Sequence, residues 1–113
     1  MKKPWNFIDT PVYSLATYEN DILNMNICTY VSAVSMKPKK YMIAVFHHTK
    51  TLQNLQHSEF AILQLLHTSQ YHLIRKLGQT DGHQYNKENY LRKKIMLESW
   101  NGFKVLKNVS ARL

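Results

Sequence analysis

Hydrophobic and polar positions alternate along the chain in short runs, not in long helical stripes. From Pro11, PVYSLATYEN carries the β-branched and aromatic residues of a strand and runs into the turn-like Glu19-Asn20-Asp21. A second extended run covers about Ile22 to Ser35. The turn Met36-Lys37-Pro38-Lys39 separates it from YMIAVFHH, whose nearly continuous apolar centre predicts a third strand buried on both faces. Thr51 is expected to cap a helix, TLQNLQH, with Leu52 and Leu55 pointing inward. EFAILQLL is a fourth strand, and His67-Thr68-Ser69 leads into a short helix, QYHLIRKLG, capped by Ser69 and stopped by Gly78. Thr80-Asp81-Gly82 is a turn. His83 to Ser99 is polar, with a helical turn around Glu88 to Ile95, and FKVLKNVSARL reads as a strand, a tight turn at Lys107-Asn108 and the start of another strand.

Strands dominate and are not separated by regular helical crossovers, which argues against a parallel doubly wound sheet. The predicted architecture is mainly β with short helices, a small antiparallel barrel. A length of 113 residues with 44% hydrophobic content suits one domain, 1–113, with 1–10 as an N-terminal arm. No stretch approaches the roughly 18 apolar residues of a membrane span, and the two lysines of MKKPWNFIDTP have no apolar core behind them. The expectation is a cytoplasmic protein with no membrane partner. One detail demands irregularity: Thr29, Ser32 and Ser35 recur at three-residue spacing, so strict alternation cannot place them on one strand face. A bend, a bulge or an exposed tip is expected there.

Charge and residue chemistry narrow the function. Cys28 is the single cysteine, which excludes an internal disulfide and zinc sites built on several cysteines. His47 and His48 are adjacent and His67 and His72 lie five apart, so neither pair has the spacing of a helical metal site, and no metal is expected. The net charge is +8, and basic residues cluster at Lys37, Lys39, Lys40, then Arg75, Lys76, then Arg92, Lys93, Lys94. These sit in turn-like or helix-end contexts without a nucleic-acid motif, and a solvated basic surface is the preferred account. The serines lack a nucleophile elbow, Cys28 sits in an apolar run, and Gly78, Gly82 and Gly102 form no phosphate loop. With side-chain catalysis poorly supported and catalytic residues unassigned, a bound cofactor becomes the natural carrier of chemistry. HHTKTLQNL offers one anchor: helix amides, the hydroxyls of Thr49 and Thr51 and the Lys50 ammonium converge as they would on a phosphate, or equally as an ordinary helix cap.

The order Pro11-Val12, a strand with Thr17, Asn26-x-x-Thr29, Ser35-x-x-Pro38, an apolar strand, Lys50-Thr51 opening a helix, the strand Glu59-Phe60-Ala61-Ile62-Leu63, a helix ending in Leu77-Gly78, and a late Gly-x-x-x-Leu strand resembles the flavin reductase-like family with its FMN-binding split barrel. The resemblance covers about residues 10 to 113. It implies that Asn26, Thr29, Tyr30, Val31 and Ser32 face the flavin ring and ribityl chain, while His48, Thr49, Lys50 and Thr51 meet the phosphate. It further implies FMN as cofactor and NAD(P)H as hydride donor, hence an NAD(P)H:flavin oxidoreductase. Family members continue for several more strands, so the chain is expected to be a C-terminally short member with an incomplete barrel. A non-catalytic FMN-binding or flavin-carrier module is therefore the alternative, with a basic nucleic-acid-binding barrel behind it. A homodimer is expected, because Phe46, Phe60 and Trp100 are apolar surface that one small barrel leaves uncovered and the family binds FMN near a subunit interface.

Overall fold

Strand β1 (Tyr13–Glu19) is the centre of the structure. The computed structural model describes residues 11–79, 82–83 and 86–113; the arm 1–10, and Thr80 and Asp81 of the expected turn, lie outside the described residues. β1 turns through Asn20 and Asp21, both in the left-handed region (φ 50° and 65°), into β2 (Ile22–Met25). Such a two-residue turn matches the twist of the strands it joins. Antiparallel pairing then builds the order β2-β1-β5-β8, with β5 at Ile62–Leu65 and β8 at Ala111–Arg112. Two ribbons complete the strands: β3 (Val31–Met36) with β4 (Lys39–Ile43), and β6 (Leu97–Trp100) with β7 (Phe103–Leu106). Three short helices, α1 (Lys50–Gln56), α2 (Leu73–Gly78) and α3 (Lys87–Lys93), fill the connections. The chain is mainly β with short helices, as its sequence pattern predicts.

Because β1 and β5 sit inside the sheet, successive side chains go to opposite faces and both faces are covered. Ala16 and Ile62 join Leu23, Met25, Leu73, Leu77, Leu91, Val105 and Leu106 in the main core. Leu15 and Leu63 point the other way and pack with Cys28 against Val31, Ile43 and Leu55. The doubly buried strands are thus β1 and β5, not the YMIAVFHH run. That run forms strand only to Ile43, pairs only with β3 among the described residues, and leaves Tyr41, Met42 and Phe46 exposed. Apolar composition misled here because burial follows what packs on a strand's faces: β2 is an edge strand too, yet its Leu23 and Met25 lie in the main core, whereas of β4 only Ile43 packs against a core cluster.

The second extended run also divides. β2 stops at Met25, Cys28 makes an isolated bridge to Tyr13 with N···O distances of 2.8 and 2.9 Å, and β3 starts at Val31. Thr29 therefore lies in the break, and the register slips again between Ala33 and Ser35. The hydroxyl spacing is accounted for by an interruption and a bulge. Three further expectations need correcting. Thr49, not Thr51, caps α1, accepting the Leu52 N–H at 3.2 Å. Ser69 does not cap the helix expected over QYHLIRKLG: it lies inside a 3-10 turn, Thr68–Gln70, capped by His67 in a reciprocal box with Gln70, and α2 begins only at Leu73, after His72, without a side-chain cap. The polar segment before Ser99 is not all irregular: after α3, which fulfils the expected helical turn, it enters β6.

Glu88 in α3 fastens the second half of the chain to the first. Its buried carboxylate accepts the Leu23 N–H at 3.1 Å, Lys104 Nζ at 3.0 Å and Arg92 Nη2 at 3.0 Å. Burial opposes its ionisation, but the Lys104 bond, the Leu23 amide and the Arg92 charge outweigh it and hold the carboxyl below the usual glutamate range. A depressed native value stabilises the fold above the unfolded value of about 4.3 and is lost as pH falls through the native one. Glu88→Ala strips the Leu23 amide of its acceptor and is expected to cost about 1–3 kcal/mol in urea unfolding at pH 7. The difference from wild type should shrink below pH 4; a constant difference across pH would show that the charge contributes nothing.

Candidate functional site

Helix α1 lies on the β1–β2 hairpin chiefly through polar side chains: its buried residues are Thr51 and Asn54, while of the two leucines expected inside, Leu55 packs at the second core cluster and Leu52 is only half-buried. On β1, Thr17 and Glu19 share a face by alternation, and pairing places Asn24 of β2 beside Thr17. The helix meets this face with Lys50, Thr51 and Asn54. Lys50 Nζ bonds Glu19 Oε2, Asn24 Nδ2 donates to Thr51 Oγ1 at 3.2 Å, and Asn54 Nδ2 donates to Thr17 Oγ1 at 3.1 Å. Thr17, Asn24, Thr51 and Asn54 are all buried. The Oδ1 atoms of Asn24 and Asn54 are buried with no hydrogen-bond partner among the described residues.

Beside this seam opens a cleft of about 440 Å³. It is lined by the break between β2 and β3, from Asn26 through Tyr30, by the connection from Ala44 to Thr51, which joins that break where the Ala44 N–H donates to Tyr30 O at 3.0 Å, and by the end of α2 with Leu77, Gly78 and Gln79. A second cleft of about 450 Å³ shares Asn24, Lys50, Gly82 and Lys87 with the first and continues past Glu19, Asn20 and His83. Gly82 presses on the shared wall: a Cβ there would lie 2.1 Å from Asn24 Oδ1 and 2.8 Å from Lys50 Cβ.

Seven of the nine expected site residues line the first cleft: Asn26, Thr29, Tyr30, His48, Thr49, Lys50 and Thr51. Val31 and Ser32 do not. Val31 packs against the second core cluster and Ser32 is exposed on β3. Several of the seven also have structural duties. Asn26 Oδ1 accepts the Leu15 N–H at 2.8 Å, and the Thr49 hydroxyl donates to Phe46 O at 2.9 Å while it caps α1. His48 has φ 61°, which swings the chain from the β4 connection into the helix. Lys87, buried, donates to Leu77 O at 2.8 Å and ties α3 to α2 behind the cleft.

Glu19, Asn24, Gly82 and Lys87 were not singled out from the sequence. The signal available was the polar stripe Lys50, Thr51, Asn54 on one side of a short helix, which requires polar partners on the sheet it covers. Cys28 also borders the cleft, and burial pushes its thiol up to about 11, so it is a protonated wall residue and not a nucleophile at neutral pH. Among the described residues no group of three or more His, Cys, Asp and Glu side chains is arranged to hold a metal ion. No helix among them is long and apolar enough to cross a membrane.

The two threonines should separate in a stability measurement. Thr49→Ala removes a cap and is expected to cost about 1 kcal/mol. Thr51→Val keeps the shape but strips Asn24 of its acceptor inside the seam, and should cost more, about 1–3 kcal/mol. The reverse ranking in urea unfolding would contradict the assignment of Thr49 as the cap.

No family model and no curated protein matches the chain. Solved structures do match it. The FMN-binding domain of a flavin reductases-like enzyme from Shewanella baltica OS155 aligns at a TM-score of 0.80 and 20% identity, over 92% of this chain and 55% of its own. An FMN-binding protein from Thermus thermophilus with bound 1-cyclohex-2-enone gives 0.83 and 12%, over 99% of this chain and 61% of its own. The NADH:FAD oxidoreductase SgcE6 of Streptomyces globisporus, in complex with NAD and FAD fragments, gives 0.74 and 15%, over 92% and 59%. The chain thus spans 55% to 61% of the length of these three structures. At such identities the likeness speaks to architecture, and it agrees with the resemblance carried by the order of motifs from Pro11 to Gly78: this chain has the FMN-binding split-barrel fold of the flavin reductase-like proteins.

Proposed function

We propose that the first cleft binds FMN and that the protein is a flavin reductase-like protein, using NAD(P)H as hydride donor. The observation that carries this reading is the gathering of Asn26, Thr29, Tyr30, His48, Thr49, Lys50 and Thr51 around one cleft in a fold shared with FMN-binding proteins. The residues present suit the group. A cleft of about 440 Å³ falls in the size range of small-molecule sites. Its lining combines apolar surface, from Ile27, Cys28, Ala44 and Val45, with the polar side chains of His48 and Lys50.

In this assignment Lys50 gives a charge-assisted bond to the phosphate, supported by His48 and the Thr51 hydroxyl, while Thr49, whose hydroxyl is taken up by Phe46 O and the α1 cap, lines the cleft beside them. Asn26, Thr29 and Tyr30, with the backbone that continues into Val31 and Ser32, border the ring and ribityl chain. When bound, the flavin would supply a two-electron acceptor for a hydride from NAD(P)H. The chain's own residues bind, orient and exclude water, and none of them need serve as a general acid.

A homodimer supports the same site. Of the apolar surface expected to drive it, Phe46 and Phe60 are exposed but Trp100 packs against the main core; Val34, Met36 and Met42 are exposed instead on the β3–β4 ribbon, and an isolated two-stranded ribbon is marginal in water. Tyr30 and Phe46, also exposed, belong to the cleft wall beside it, so a second copy covering the ribbon would also shield the cleft.

Lys50→Ala is expected to weaken FMN binding about ten- to a hundredfold while leaving riboflavin, which has no phosphate, nearly unchanged. Equal losses for both flavins would reject the phosphate assignment. Bleaching of the FMN-loaded protein by NADH or NADPH supports the reductase reading, whereas stable colour under excess of both indicates a non-catalytic flavin-binding module. Sedimentation at micromolar concentration should show a dimer, and a monomer would count against the partner-shielded cleft.

A further inference from the structure

We propose that Glu19 is a competing counter-ion that sets the cleft's affinity for phosphate-bearing ligands, because it holds the ammonium of Lys50 that such a ligand would have to take. This rests on the assignment of Lys50 to a ligand phosphate in the first cleft.

Glu19 Oε2 accepts a hydrogen bond from Lys50 Nζ. Lys50 borders both clefts, whereas Glu19 borders only the second, so the carboxylate draws the ammonium towards the side away from the proposed ligand. The carboxylate stands on a firm base. Glu19 ends β1, pairs with Ile22 and leads directly into the tight turn at Asn20 and Asp21. The neighbouring contacts, Thr51 with Asn24 and Asn54 with Thr17, fix the helix that carries Lys50.

The side chains of the pair are 20% and 40% exposed, so water screens it and the attraction is modest. A phosphate brings close to two negative charges and three acceptor oxygens, and it wins the ammonium. It does so against the lost pair and against repulsion by the remaining carboxylate. A ligand without a phosphate disturbs neither. Glu19 therefore lowers affinity selectively for phosphorylated ligands and favours their exchange.

Calorimetric titration of the full chain with FMN, riboflavin and inorganic pyrophosphate tests this. Glu19→Gln should tighten FMN and pyrophosphate about three- to tenfold and leave riboflavin within about twofold. Glu19→Asp, which retains the charge but draws it back, should fall between wild type and Glu19→Gln and serves if the amide variant folds poorly. In a Lys50→Met background the gain from Glu19→Gln should drop below about twofold. Unchanged or weakened FMN and pyrophosphate binding in folded Glu19 variants would overturn the proposal, as would an equal gain for riboflavin or a gain that survives without Lys50. If neither flavin binds wild type but pyrophosphate tightens on Glu19→Gln, the flavin assignment fails and the role of Glu19 stands.

Discussion

The polar seam between α1 and the β1–β2 hairpin is the constraint on which the site depends. Most helices reach a sheet through an apolar stripe, yet here Lys50 meets Glu19, Thr51 meets Asn24 and Asn54 meets Thr17. Hydrogen bonds are directional where apolar contact is not, so three matched pairs fix the rotation and the position of the helix along the sheet. The cleft inherits that precision, since Lys50 and Thr51 line it and the chain enters the helix through His48 and Thr49. Asn24 and Asn54 each keep a buried carbonyl oxygen without a partner among the described residues.

The rest of the molecule holds this seam in place. β1 presents Leu15 to one core cluster and Ala16 to the other, so the strand that carries Thr17 and Glu19 is clamped from both sides. Glu88 joins α3 to β2 and β7, and Gln64 of β5 accepts the Leu106 N–H at 2.8 Å, binding the late ribbon to the central sheet. Lys87, next to Glu88, carries that order to the back of the cleft through Leu77. The β3–β4 ribbon stands apart from this scheme, rooted through Val31 and Ile43 but otherwise exposed.

Much of the strand order was legible in the sequence because it rests on local signals. PVYSLATYEN followed by Asn20-Asp21 specifies a strand and its turn, and the expected small antiparallel architecture follows from strands without helical crossovers. What failed depended on distant partners. The YMIAVFHH run looks like a central strand but has little packed on its faces, while Ser14, Thr17 and Gln64 look too polar for one and are buried. β6 lies in the polar segment expected to hold only a helical turn, although Asn101-Gly102, with φ 51° and 83°, is the usual signal of a two-residue hairpin. Of the site, Lys50 and its neighbours could be found because they cluster at one helix start, and the residues near Thr29 only through the family resemblance. Glu19 and Gly82 could not, because they come within reach of Lys50 only through the fold.

The most direct test of the account is to follow the backbone amides by NMR during titration with FMN. Binding in the cleft should shift the amides of residues 26–30 and 47–51 and leave the β6–β7 ribbon, 97–106, in place. Shifts confined to the β3–β4 ribbon, or no shifts at saturating FMN, would contradict a flavin site at the α1 seam.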